Sequence, residues 1–255
     1  MKRFGLILAN VVSFVWRIMP GRLRLGLLTG LMVLDSRHRD PGKGLEHLLR
    51  LRDKLDWVIN ERAMAYGYGE HPKHRLTRYH DFFVRHLTNG QRVLDVGCGY
   101  GAVARTIACA YPNSEVVGID QDRGRLAMAR TSENPPNLNF VEGDATASVP
   151  PGPWDAVVLS NVLEHIVDRV GFLKALQGST LARQYLIRVP LFEREWQMPL
   201  RRELGVDFRS DPDHKIEHTY DEFLAEIAAS GLTVHEVQTR WGEIWADCRR
   251  DENHA

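Results

Sequence analysis

The sequence predicts a doubly wound α/β domain on a mainly parallel seven-stranded sheet, preceded by an N-terminal helical extension. Three observations carry this. After Asn89-Gly90, short apolar runs alternate with helical patterns; the first run, Arg92 to Val96, breaks into Gly97, Gly99 and Gly101 before helical spacing resumes; and acidic residues, Asp95, Asp120 and Asp144, stand at or near three successive run ends. Strand followed by helix, repeated, means parallel strands joined by right-handed crossovers. Such a sheet is buried on both faces.

Residues 1–88 read as the helical extension and 89–255 as the α/β domain. The start holds two apolar stretches, Phe4 to Trp16 and Leu25 to Leu34, separated by Arg17, Pro20-Gly21, Arg22 and Arg24. Neither reaches the roughly 18 to 20 apolar residues that a spanning helix needs. Lys2 and Arg3 before an apolar segment imitate a signal peptide, but no A-x-A-like site follows. Two readings of residues 1–34 stay open: short helices packed on the core or on a partner copy, and an interfacial helix whose arginines face lipid headgroups. The expected location is cytoplasmic, and on the second reading peripheral at the inner face of the membrane. Next, Gly44 to Ile59 places Leu45, Leu48, Leu49, Leu55, Val58 and Ile59 at helical spacing. "AYGYGEHPKHR" reads as a loop, and Arg75 to Leu87 as a helix with Leu76, Tyr79, Phe83 and Leu87 along one face.

In the domain, strands are expected at Arg92 to Val96, Ser114 to Ile119, Leu138 to Val141, Ala156 to Leu159 and Tyr185 to Val189. Helices follow the first, second and fourth, to Ala110, Arg130 and about Leu176. Residues 191–217, rich in charge and aromatics, interrupt the rhythm as an insertion. Thr219 with Glu222 three residues on forms a capping-box pattern for a helix to Ala229, which Ser230-Gly231 stops. "TVHEVQTRW" and "EIWADCRR" close the sheet, the last strand antiparallel.

Composition excludes some functions. Lysine plus arginine balance aspartate plus glutamate at 33 each in 255 residues, so the basic excess of a nucleic-acid binder is missing and no nucleic-acid partner is expected. Cys98, Cys109 and Cys248 are far apart and lack metal-type spacing, which suits reduced thiols. Cys98, between two glycines, reads as a small residue filling a tight turn more than as a nucleophile.

A strand that ends in Gly-x-Gly-x-Gly and feeds a helix presents backbone N–H groups and a helix N-terminus at the carboxyl edge of the sheet. The second strand ends in "GID", so Asp120, followed by Gln121, reaches the same edge, where a carboxylate accepts hydrogen bonds from ribose hydroxyls. "EGDAT" brings Asp144 there, and "SNVLEHI" brings small polar residues beside the ligand. The G-x-G-x-G spacing differs from the G-x-G-x-x-G of dinucleotide sites, and no Gly-Lys-Ser/Thr follows the turn.

"VLDVGCGYG", "VVGID", "FVEGDAT" and "WDAVVLSNVLEHI" together resemble the successive motifs of class I S-adenosylmethionine-dependent methyltransferases, especially the small-molecule type related to the ubiquinone and menaquinone biosynthesis enzymes. The resemblance is close over about 91–189 and looser beyond. It implies a Rossmann-like methyltransferase fold with S-adenosyl-L-methionine as cofactor. It also implies that Asp95, Gly97 and Gly99, with Gly101 in the same turn, approach the methionine part. Asp120 with Gln121 would hold the ribose, Asp144 with Ala145 would read adenine, and Asn161 would lie beside the sulfonium.

For the acceptor, "SNVL" stands where nucleic-acid and protein enzymes of this fold carry (Asp/Asn)-Pro-Pro-aromatic, and "NPPN" at Asn134 to Asn137 reads as a loop before the third strand. The expected acceptor is a small molecule, a saccharide or a lipid-linked metabolite, methylated on oxygen. His165, His214 and His218 are the acid–base candidates, with an ordinary surface role for the last two the competing reading. In "GYGEHPKHRLTRYHDFF", Arg75 is the candidate partner of the cofactor carboxylate, against a solvated helix face. His214 and His218 stand four apart without a third ligand in view, and His71 and His74 lack partners likewise, so no metal is expected. The competing function is a non-catalytic cofactor-binding or partner subunit of the same fold; oligomeric state is not legible.

Overall fold

The computed structural model describes residues 14, 16–68 and 71–250; most of the first apolar stretch, Phe4 to Trp16, lies outside them. The chain forms two compact units, residues 1–65 with 201–207, and residues 66–200 with 208–255.

In the first unit, helix α1 (Gly21–Ser36) starts after the Pro20-Gly21 breaker and buries none of its residues. Helix α2 (Pro41–Tyr66) outruns the expected 44–59 at both ends and buries Gly44 and Leu49. Gly44 is required there because a Cβ would collide with the backbone carbonyl of Ser36. Arg201, only 4% exposed, donates to Asp53 at 2.7 Å and to the carbonyl of Leu49 at 3.0 Å.

The second unit begins earlier than the expected boundary after residue 88. Its opening segment is two short helices, α3 (Lys73–Thr77) and α4 (His80–Arg85), instead of one, because the chain turns left-handed at Arg78 (φ 52°). Phe82, Phe83 and Leu87 then bury themselves in one cluster with Val93, Val103 and Ile107, which is why this segment belongs with the sheet.

Strands β1 (Arg92–Val96), β2 (Glu115–Asp120), β3 (Leu138–Glu142), β4 (Ala156–Ser160) and β5 (Gln184–Pro190) are joined in parallel. Between them run α5 (Ala102–Ala110), α6 (Arg123–Thr131) and α7 (Arg169–Thr180). After β5 come a 3₁₀ turn, Phe192–Arg194, then α8 (Gln197–Glu203) and α9 (Tyr220–Ala229), the last with the expected Thr219/Glu222 capping box. Strands β6 (Leu232–Arg240) and β7 (Glu243–Arg250) close the sheet antiparallel through the turn Trp241-Gly242, both at positive φ, as a two-residue hairpin requires. The order is β3-β2-β1-β4-β5-β7-β6.

Strand residues alternate between two cores, as a doubly covered sheet demands. Leu94, Val117, Val157 and Ile187 face one cluster, with Leu173, Phe223 and Ile227 from α7 and α9. Val93, Val116, Val158 and Leu186 face the other, with Val103, Ala104 and Ile107 from α5. The strand order reverses between β1 and β4, and their carboxyl ends open the crevice in which such sheets bind ligands.

Glycine substitutions should separate backbone need from helix propensity. Gly101 caps α5 at φ 73°, and a Cβ there would meet the Phe140 ring. Gly101→Ala should therefore lower the melting temperature by about 4 °C or more, from a left-handed cost of roughly 1–2 kcal/mol plus the clash. Gly178 lies inside α7 with open space around it, so Gly178→Ala should raise stability by about 0.5–1 kcal/mol. Thermal and urea unfolding of both variants read the two signs.

Candidate active site

The three glycines that follow β1 are there for three different reasons. At Gly97 (φ 67°) a Cβ would lie 2.8 Å from a Val162 methyl, so this glycine lets the turn after β4 come close. Gly99 (φ 55°) has open space beside it and aims its N–H at Asp120, 2.7 Å away. Gly101 makes room for Phe140 of β3, as above. Cys98 fills the gap over Gly118, where a Cβ would lie 2.7 Å from its sulfur. Burial, then the nearby Asp95 and Asp120 carboxylates, pushes its thiol well above the usual range. The filler reading of Cys98 agrees with this packing.

A cavity of about 410 Å³ opens at the carboxyl ends of β1 to β4, within the range of small-molecule sites. Gly97, Asp120, Gln121, Asp144, Ala145 and Asn161 line it, and so does His165. Asp120 is 8% exposed, and its other oxygen accepts from Asp122 N at 2.7 Å. Asp144 accepts from Thr146 N at 2.8 Å and from Thr146 Oγ1 at 2.7 Å, bonds that hold its carboxyl below the usual range. Asn161 sits in the left-handed region (φ 59°), which asparagine tolerates better than most residues. Its amide N–H is tied to the Arg188 carbonyl of β5 at 2.8 Å, while its buried Oδ1 has no partner.

Other expected residues lie elsewhere. Asp95, Gly99 and Gly101 shape the turn without lining the cavity. Asp95 is 1% exposed, and burial lifts its carboxyl to about 7, against a hydrogen bond from Ala104 N that lowers it and the Asp120 charge that raises it further. Arg75 is exposed on α3 and does not line the cavity; the left-handed stop at Arg78 turns Tyr79 inward instead. The Tyr79 ring lies 3.8 Å from the Arg188 guanidinium, which pairs with Glu243, and its hydroxyl meets His74 Nδ1 at 2.8 Å. Burial pushes the Tyr79 phenol up to about 12 and His80 down to about 4.

Of the three histidines, His165 alone lines the cavity. Burial, then the nearby His214, lowers its pKa, so the neutral ring that a base needs persists below the ordinary histidine value. His218 is fully buried with Nε2 on Glu226 at 3.0 Å, a structural placement that corrects both the catalytic and the surface readings. His214 is 4% exposed, its ring centroid 4.8 Å from that of His165. Asp213 and Lys215 of the insertion join the cavity wall, and the Lys215 amide holds the Glu164 carbonyl at 2.7 Å. Sequence reasoning passed over Asp213, Lys215 and Glu164; the one signal was a carboxylate set in the apolar run "NVLEHIV".

A doubly wound sheet with acidic strand ends, a glycine turn and a cavity at the β1/β4 reversal defines a nucleoside-type ligand site on a Rossmann-like scaffold. Residues 93–179 match the methyltransferase domain family, and the chain carries a class I S-adenosylmethionine-dependent methyltransferase domain. It is 33% identical over 159 residues to the ubiquinone biosynthesis O-methyltransferase of Acinetobacter baumannii, covering 58% of this chain and 66% of that one. It is 36% identical over 103 residues to the ribosomal protein L11 methyltransferase of Thermus thermophilus, 40% of this chain and 39% of that one. The chain thus spans less than two thirds of these relatives. The fold is similar to that of magnesium protoporphyrin IX methyltransferase from Synechocystis PCC 6803 with bound SAH, at TM-score 0.54, 17% identity, and coverage of 68% and 83% of the two chains.

The buried Asp95 gives a pH signature. Its pKa is about 7 folded and about 4 unfolded, so between these values the folded state binds more protons. Stability from this group is lost as pH rises through that window. In urea unfolding without cofactor, Asp95→Asn should remove that part of the slope, and its stability relative to wild type should grow from pH 5 to pH 8. A constant difference would show that Asp95 keeps its ordinary pKa in the fold.

Proposed function

We propose that this chain transfers the methyl group of S-adenosylmethionine to an oxygen of a small-molecule, saccharide or lipid-linked acceptor. The observation that carries this reading is the single cavity wall running from Asp120 and Gln121, through Asp144 and Ala145, to Asn161, His165, Asp213 and Lys215. The first part suits ribose and adenine, and the last part, from the insertion, suits the acceptor. The sulfonium methyl is already activated, so the protein's task is to align acceptor oxygen, methyl carbon and sulfur in line. Such orientation supplies about 7–11 kcal/mol of barrier lowering. The acceptor O–H loses its proton as the C–O bond forms and the C–S bond breaks, and on this reading His165, on the cavity wall, takes it. The likeness to a ubiquinone O-methyltransferase supports oxygen over nitrogen or carbon.

Incubation of the chain with methyl-labelled S-adenosylmethionine and a cell extract, with and without its membrane fraction, should label a low-molecular-weight or lipid-extractable product. Asp120→Ala should weaken S-adenosylhomocysteine binding at least about tenfold in calorimetry, the scale of one charged hydrogen-bonding group. Cofactor binding without any labelled product would favour the non-catalytic subunit, and unchanged binding by the variant would overturn the ribose assignment.

We also infer that the start of the chain lies on an anionic membrane surface. Leu25, Leu31 and Leu34 of α1 are 67%, 62% and 73% exposed, Arg17, Arg22 and Arg24 precede or begin that helix, and no acid occurs in 14–34. No described helix is long and apolar enough to cross a membrane, which leaves the in-plane mode open to it. The full chain should float with vesicles containing phosphatidylglycerol and less with neutral ones, and deletion of residues 1–34 should abolish flotation. Flotation that survives the deletion, or self-association without lipid binding, would overturn this inference.

A further inference from the structure

Glu164 is 0% exposed, and neither of its carboxylate oxygens receives a hydrogen bond from another residue. A buried carboxylate in that condition is costly to keep charged, unless something cationic sits against it. No cation is bonded to it: the Arg188 charge acts on it without a hydrogen bond, and Lys215 approaches with its backbone amide, on the Glu164 carbonyl. What does converge on Glu164 is a pair of imidazoles. One ligating atom from each of Glu164, His165 and His214 lies within 4.8 Å of the others. Next to them, three residues before Glu164, Asn161 holds a buried, unpartnered Oδ1.

The geometry points to a divalent transition-metal site formed by Glu164, His165 and His214, with the Asn161 carbonyl oxygen as a further donor. Bonds of about 2.1 Å at tetrahedral angles put ligand atoms about 3.4 Å apart, so inward shifts of up to about 0.8 Å by each side chain complete the set. Two histidines and one carboxylate suit manganese, iron, cobalt or zinc better than magnesium, which prefers oxygen ligands and retained waters. The outer support is present too. His214 Nδ1 faces Glu217 at 3.3 Å, and Glu217 is held by Arg194 and by the Ser210 amide. With Nδ1 engaged, Nε2 is the nitrogen turned to the metal, the arrangement in which a carboxylate orients a ligating histidine.

The ligands come from two segments of the chain: Asn161, Glu164 and His165 from the turn after β4, His214 from the insertion. A cation binding there would lock the insertion to the sheet edge and leave coordination positions open to an oxygen-bearing acceptor, whose O–H it would acidify; with His165 engaged as a ligand, the metal would take over the part we propose for the free His165 ring. That use of the metal rests on the methyl-transfer reading, whereas the site itself does not.

Tag-free full-length protein, stripped with chelator, is titrated with Co²⁺ and followed by its visible d–d absorption, then challenged with Zn²⁺ and with Mg²⁺. One Co²⁺ per chain should bind, Zn²⁺ should displace it, and Mg²⁺ should not at the same concentration. Glu164→Gln and His214→Ala should each weaken Co²⁺ binding at least tenfold, while Glu164→Asp should retain part of it. Binding of S-adenosylhomocysteine by calorimetry shows that each variant is folded. A folded chain that takes up no stoichiometric Co²⁺ or Zn²⁺, or variants that bind Co²⁺ as wild type does, would overturn the site. Metal binding by a chain that binds no S-adenosylhomocysteine would leave the site standing and sink the methyltransferase reading.

Discussion

The Asp120 carboxylate accepts one backbone N–H from Gly99, in the turn after β1, and another from Asp122, in the turn after β2, both at 2.7 Å. The first bond fastens the end of β2 to the turn after β1, the second holds the turn after β2 itself, and Asp120 stands in the cavity wall between them. Without the first, the left-handed Gly99 has no reason to hold its amide inward. Without the second, the N-cap that Asp122 provides for α6, through Gly124 and Arg125, loses its anchor. A carboxylate oxygen has two lone-pair sites, so Asp120 still has capacity for a ribose hydroxyl. One residue thus both builds the wall and presents the acceptor.

Around that anchor, the site is expensive in buried charge. Burial raises the carboxyls of Asp95 and Glu164, each to about 7, and the Arg188 guanidinium lies over the Tyr79 ring and pairs with Glu243. Groups like these weaken a fold unless something compensates them, and ligands with cationic parts are the natural compensation. On the proposed readings, the cationic parts of S-adenosylmethionine would offset Asp95 behind the glycine turn, and a metal ion would offset Glu164 at the edge of the crevice.

The insertion, residues 191–217, completes that space. Arg194 ties it together by bonding the Leu191 and Phe208 carbonyls and the buried Glu217. Burial alone would raise the Glu217 carboxyl, but hydrogen bonds from His214 and Ser210 and the charge of Arg194 outweigh it and hold it low. The Glu217 carboxylate in turn holds the His214 ring through Nδ1. The loop is therefore a built wall, and Asp213 and Lys215 are its residues on the cavity.

Much of this molecule was legible in the chain alone, for local reasons. Strand and helix periods, the glycine turn, the Thr219/Glu222 cap and the acidic strand ends each depend on residues a few positions apart, and period and turn chemistry reveal them. The seven strands, their mainly parallel character, and the places of Gly97, Asp120 and Asp144 at the sheet edge followed from such signals, and the family resemblance added Gln121, Ala145 and Asn161, which also line the cavity. The convergence of Glu164 and His165 with His214, the burial of His218 on Glu226, the outward Arg75 and the unit boundary at residue 65 were decided only in the tertiary structure. Each depends on where a crossover or an insertion returns to the sheet. Hydrophobic periodicity states which face a residue occupies, but the path of the intervening backbone chooses the polar partner it meets there.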